Sequence, residues 1–201
     1  MEGPQGKNPK QQLLDTISKK IEQITDGLGM EIDPGIRETI IYLQAHGFKT
    51  YASCEGHEDW GLPYPWVDIG EMLDEDTRYQ ELERKINFET GENTLNAAEK
   101  KELRQKELDA EKENRKETGR LKELLAKFYK QRKSDVRLGM EAKGLSSVRI
   151  LPQRAPRGKP DDIRKKIPPE KISRDLKLFQ AEMTQFTEFL KQEFFTSSPA
   201  H

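Results

Sequence analysis

Between Glu71 and Asp135 the chain runs without a proline through a block dominated by Glu and Lys, and on either side of that block the apolar residues alternate every second position. A proline-free charged block reads as helix, and alternation of period two reads as strand. Helix set between two strand pairs forces distant segments into one sheet. The fold class is therefore α+β: a small, mostly antiparallel four-stranded sheet with packed helices, a long charged helical insertion and a C-terminal helix.

The strands follow from the pattern. Phe48, Thr50 and Ala52 alternate with Lys49, Tyr51 and Ser53, and Val67 and Ile69 alternate with Trp66 and Asp68. Beyond the insertion, Val136, Leu138, Met140 and Ala142 alternate with Arg137, Gly139 and Glu141, and Lys143 to Ser146 turn the chain into Val148, Arg149 and Ile150. All three valines fall in these runs, as suits β-branched side chains on a pleated surface.

Helices account for most of the remainder. Leu13, Ile17, Ile21, Ile24 and Leu28 make one stripe that stops near Gly27 to Gly29, and Asp33 before Pro34 caps a second helix whose Ile36, Ile40, Ile41 and Leu43 face inward up to Gly47. In the insertion, a turn at Thr90 to Asn93 divides a short helix carrying Tyr79, Leu82 and Ile86 from a long one. The long helix has almost only Leu103 and Leu108 as apolar residues between Glu99 and Arg120, which predicts a solvated arm, before Leu121, Leu124, Leu125 and Phe128 dock its end. The organisation expected is a tail over 1–10, a core over 11–152 with the insertion at 71–135, a basic proline-rich linker over 153–170, an amphipathic helix over 171–196 and a tail over 197–201. The last helix carries Ile172, Leu176, Phe179, Met183, Phe186, Leu190 and Phe194 on one face, which must pack on this chain, on a second copy or in a partner's groove.

Composition narrows the function classes. Charged residues make up 35% of the 201, against about 25% in an average globular chain, yet 35 basic and 36 acidic groups nearly cancel. An electrostatic partner must be met locally, not by a generally basic surface. No apolar run reaches the length of a membrane span and the N-terminus lacks a signal pattern, so a cytoplasmic protein without a membrane partner is expected. The single cysteine, Cys54, excludes an intrachain disulfide and an all-cysteine zinc site.

Chemistry concentrates in Thr50 to Ile69. Ser53, Cys54, Glu55, Gly56 and His57 form a loop at a strand end, with Gly56 free to take positive φ. Cys54 and His57 are the candidate catalytic pair, nucleophile and proton partner, with Glu55 or Asp59 to orient the imidazole. A buried structural cysteine and a turn-capping histidine are the plain alternative. A metal would need His46, Glu55, Asp59 or Asp68 to converge on Cys54 and His57, and no metal site is assigned.

Strand parity adds a second set. With the core residues on one face, the other collects Lys49, Tyr51, Ser53, Trp66, Asp68, Arg137, Glu141 and Arg149. Tyr51 and Trp66 offer stacking surfaces, Arg137 and Arg149 anion partners, and Asp68 an acceptor. Together with Ser53, Glu55 and Gly56 these are the candidate ligand-binding residues, unless the C-terminal helix covers the face. The expectation is a domain that binds a nucleotide-like or other anionic ligand; an enzyme acting on such a substrate and a helical protein-interaction module are the alternatives. Nucleic acid stays open as a partner, as does a homodimer or partner protein through 171–196, and the pattern names no cofactor.

Gly47, Phe48, Thr50, the run Ser53 to His57, Pro65, Trp66 and Val67 together resemble uncharacterised bacterial and phage proteins that carry a Ser-Cys-Glu-Gly-His signature. The resemblance spans residues 32–70 and implies no activity. The same stretch is faintly similar to the Ser-Cys-Ser-Gly-Arg segment of the tRNA wybutosine-synthesis methyltransferase family. That family's arginine is His57 here and its second serine is Glu55, so its RNA substrate and methyl donor do not carry over.

Overall fold

Two hairpin-like strand pairs, far apart in sequence, join edge to edge. The computed structural model describes residues 8–25, 29–70, 76–86 and 93–197. Its strands are β1 (Thr50–Cys54), β2 (Trp66–Gly70), β3 (Leu138–Lys143) and β4 (Ser147–Pro152), in the order β1-β2-β4-β3 with every neighbour antiparallel. Central β2 and β4 carry Val67, Ile69, Val148 and Ile150 into the core. The helices among the described residues are α1 (Pro9–Ile21), α2 (Pro34–Ala45), α3 (Thr77–Glu83), α4 (Ala97–Phe128), α5 (Pro160–Lys166) and α6 (Pro169–Thr196). None of them is long and apolar enough to cross a membrane.

A bulge in β1 changes the expected parity. Thr50 pairs with Ile69, but the next partner, Asp68, faces Ala52, and Ser53 then faces Val67 while Cys54 faces Trp66. One residue is inserted, so every side chain after it changes face. Ser53 thus moves to the core-facing side and Cys54 to the side of Trp66. Val136 and Arg137 also exchange roles, because β3 starts only at Leu138. Val136 packs beside Tyr64, Leu151, Ala155 and Phe179, whereas Arg137 lays its guanidinium 4.2 Å from the Tyr129 ring.

The helices begin where the sequence supplies caps. Asn8 accepts from the Lys10 N–H and Pro9 follows, so α1 starts inside the expected tail. It ends at Ile21, and its buried side is Leu14, Ile17 and Ile21, leaving Leu13 and Ile24 exposed. The expected stop near Gly27 falls partly outside the described residues, as do the turn at Thr90 to Glu92 and both extreme tails. For α4, Asn96 and Glu99 form a reciprocal capping box.

The helix α4 is not a bare arm. Leu103 is buried under α3 with Tyr79, Leu82 and Leu95, and further along Ala110 and Glu117 are buried too. Polar contacts fasten this part to the rest: Lys49 N–H donates to Glu117 at 3.3 Å, Asn114 to the Leu145 carbonyl at 3.0 Å, and Arg120 to the His46 and Gly47 carbonyls at 2.5 and 3.4 Å.

The stretch expected as an extended linker contains α5, with Ile163 and Ala155 buried. The aromatic face of α6 is covered within this chain: Met183, Phe186, Leu190 and Phe194 join the α1, α2 and sheet residues in one core, and Thr187 and Thr39 share a buried 2.6 Å hydrogen bond between α6 and α2. The residues that suggested a second copy on 171–196 are thus occupied internally.

Candidate functional site

The loop after β1 is built to hold a fixed shape. Gly56 adopts φ +83°, and a Cβ there would lie 2.6 Å from the Tyr64 carbonyl carbon. Only glycine fits. In that conformation the Gly56 N–H points back at the Cys54 Sγ, 3.3 Å away. His57 N–H closes the loop on the Leu62 carbonyl at 3.2 Å. Two later helices brace it from outside: Arg164 of α5 donates to the carbonyls of Glu58 and Trp60, and Gln180 of α6 donates to the Glu55 carbonyl at 3.1 Å.

An exchange of capping partners brings in a residue that the sequence pattern did not connect to this loop. Asp33 holds the N-cap position of α2 but makes no side-chain cap bond. Glu55 does that work from the loop, accepting from the Gly35 N–H at 2.6 Å. The Asp33 carboxylate is thereby turned to the loop, where its Oδ2 accepts from the Glu55 N–H at 3.1 Å and lies 3.3 Å from His57 Nε2. Asp33, Cys54 and His57 each bring a ligand-type atom within 4.8 Å of the other two.

Burial pushes the Cys54 thiol up to about 11, with the Gly56 N–H opposing and the nearby Asp33 charge and hydrogen bond adding to the rise. At neutral pH the sulfur keeps its proton. His57 stacks on Trp60 with ring centroids 3.7 Å apart. The expected pair of Cys54 and His57 is therefore close, with the Asp33 carboxylate bonded to His57 and within 4.8 Å of the sulfur.

The other expected residues divide into two groups. Asp68 and Arg149 face each other across β2 and β4 and form a two-pronged pair at 2.6 and 2.7 Å, while the guanidinium lies 3.7 Å from the Trp66 ring. Burial works against the Arg149 cation, and the Asp68 carboxylate outweighs it, so the group stays charged. Tyr51 donates to Ser147 Oγ at 2.9 Å. Arg137 stands apart on Tyr129, away from this set. Of the two arginines, Arg149 is held by its own carboxylate partner. Of the residues weighed as further metal ligands, His46 is bonded to the Leu190 carbonyl, Glu55 caps α2, Asp59 is exposed and Asp68 holds Arg149.

Along the free edge of β1 lies a cavity of about 680 Å³. Ile24, Met30 and Ile32 line it together with Tyr51, Ser53, Cys54, Trp60 and Trp66. The charged residues lining it, among those described, are Glu31 and Asp33, and Glu31 is already paired with Arg37 at 2.8 Å. The Trp66 Nε1 is buried without a hydrogen-bond partner among the described residues. With the fold and this site in view, no protein family, curated protein or solved structure matches the chain.

Proposed function

We propose that this protein binds a small, flat, largely uncharged molecule, nucleoside-like in shape, in the cavity along β1. The observation that carries this reading is the cavity itself: its volume falls within the roughly 300–1,000 Å³ usual for ligand pockets, and Tyr51, Trp60 and Trp66 line it. Aromatic walls take flat ring systems by stacking, without regard to ring identity. The sign of the ligand follows from the lining. A phosphate seated there would meet two carboxylates and, among the described lining residues, no Lys or Arg, so this lining favours a neutral ligand over an anion.

Titration of the intrinsic tryptophan fluorescence with the four common ribonucleosides and with their monophosphates tests the reading. A saturable change is expected with at least one nucleoside, with weaker binding of its monophosphate. Trp60→Ala should weaken the interaction by about 1–3 kcal/mol, the usual contribution of one stacked base. Tighter binding of the monophosphate, or no saturable change with any nucleoside, would sink the proposal.

A further inference from the structure

We infer that Asp33, Cys54 and His57 form a mononuclear site for a divalent metal of the zinc class, with one coordination position open to the cavity. This inference does not depend on which organic molecule the cavity takes. Its first support is the donor set. Oxygen, sulfur and nitrogen from one Asp, one Cys and one His make a combination that suits zinc, and three protein ligands plus one open position is the pattern of zinc sites that handle water or substrate.

The second support is spacing. Ligands at 2.0–2.3 Å from a tetrahedral ion stand about 3.3–3.8 Å from one another. Asp33 Oδ2 and His57 Nε2 are 3.3 Å apart, and all three donor atoms fall within 4.8 Å, so closing around an ion needs a shift of about 1 Å at most. The donors come from three places in the chain: the start of α2, the end of β1 and the following loop. Local sequence proximity therefore does not explain why Asp33 joins the other two.

The third support lies in the groups behind the donors. Metal ligands are held by outer hydrogen bonds that fix their orientation. Here the Gly56 N–H points at Cys54 Sγ and the Glu55 N–H at Asp33 Oδ2, both from rigid backbone. Trp60 covers one face of the imidazole. Most telling is the capping exchange. An aspartate at an N-cap ordinarily satisfies its own helix, yet Glu55 supplies that bond to α2 and leaves the Asp33 carboxylate with Cys54 and His57. Asp33 and Cys54 also line the cavity, which is where the open position faces. On binding, the thiol proton leaves to solvent and the sulfur ligates as thiolate.

The test uses the full-length untagged chain, stripped with a chelator and titrated with cobalt(II), then with zinc. One equivalent of cobalt is expected to bind with the intense visible bands of tetrahedral coordination and a thiolate-to-cobalt charge-transfer band, and zinc is expected to displace it. Cys54→Ser should abolish the charge-transfer band. Asp33→Asn and His57→Ala should each weaken cobalt binding by at least about 10-fold. Asparagine is near-isosteric and keeps a side-chain oxygen to accept from the Glu55 N–H, so Asp33→Asn separates lost ligation from lost folding, with circular dichroism as the check. A folded wild-type protein that shows no charge-transfer band, or that binds cobalt no better than Cys54→Ser, overturns the inference.

Discussion

Asp68 shows how a single side chain changes meaning once its neighbour is known. Along β2 it reads as a polar residue on an open face, but the β2–β4 register places it opposite Arg149, and both end up largely buried. Removing one partner of such a pair strands the other charge, at a cost of about 3–5 kcal/mol. Asp68→Ala is therefore expected to lower stability by about 3 kcal/mol in urea melts, with Asp68→Leu combined with Arg149→Met recovering much of it. A loss below about 1 kcal/mol for Asp68→Ala would mean that the guanidinium is adequately solvated without its carboxylate. The candidate site was legible in part at this scale. Cys54, Glu55, Gly56 and His57 stand out because few structural needs call for that run of residues. Asp33 does not, since Asp before Pro already has a sufficient explanation as a helix cap, and only the three-dimensional approach of Glu55 shows that explanation to be incomplete.

Elements were legible where period and punctuation agree, as in α2, which begins at Pro34 and stops before Gly47. The parity of β1 was not, because a bulge leaves no mark in an alternating pattern. The docking of the end of α4 was legible from Leu121, Leu125 and Phe128, but that of its middle was hidden by polarity, although Leu103, Ala110 and Glu117 share the same helical face. A small alanine and a glutamate do not read as core. A second glutamate, Glu182, locks elements together. On α6 it takes two bonds from Arg132, at 2.6 and 2.8 Å, one from Tyr129 and one from Ser134, fixing the segment between α4 and β3. Burial alone would raise its carboxyl, but Arg132, Tyr129 and Ser134 more than offset this and hold it below the usual carboxylate range. A carboxyl depressed in the folded state contributes stability above its unfolded pKa of about 4.3 and loses that contribution as pH falls through the folded value. Glu182→Gln should thus cost about 1.5–3 kcal/mol at neutral pH, with the gap to wild type narrowing in melts below about pH 4. A gap that stays constant down to the acid limit would show that the carboxylate charge is not what matters.

For the whole molecule, the decisive fact is that, among the described residues, the buried apolar side chains do not form one continuous body. The main core joins α1, α2, the sheet, the second half of α4 and α6, whereas Tyr79, Leu82, Leu95 and Leu103 make a separate cluster between α3 and the first half of α4. Ion pairs of that region, such as Arg78 with Glu102 and Lys106 with Asp76, are partly open to solvent, and solvent-accessible pairs contribute little. One long helix is then shared by two units of unequal size, and the smaller should open first. Leu82 and Leu121 are both fully buried, so the same truncation compares the two units directly. Leu121→Ala is expected to lower the global unfolding free energy by about 2–5 kcal/mol. Leu82→Ala removes a similar amount of buried surface, yet its effect should appear as lost hydrogen-exchange protection over Thr77–Glu83 and the first turns of α4, with the global melt moving by less than about 1 kcal/mol. Equal shifts of the global transition in the two variants would show that α3 and its partner turns unfold with the core as a single cooperative unit.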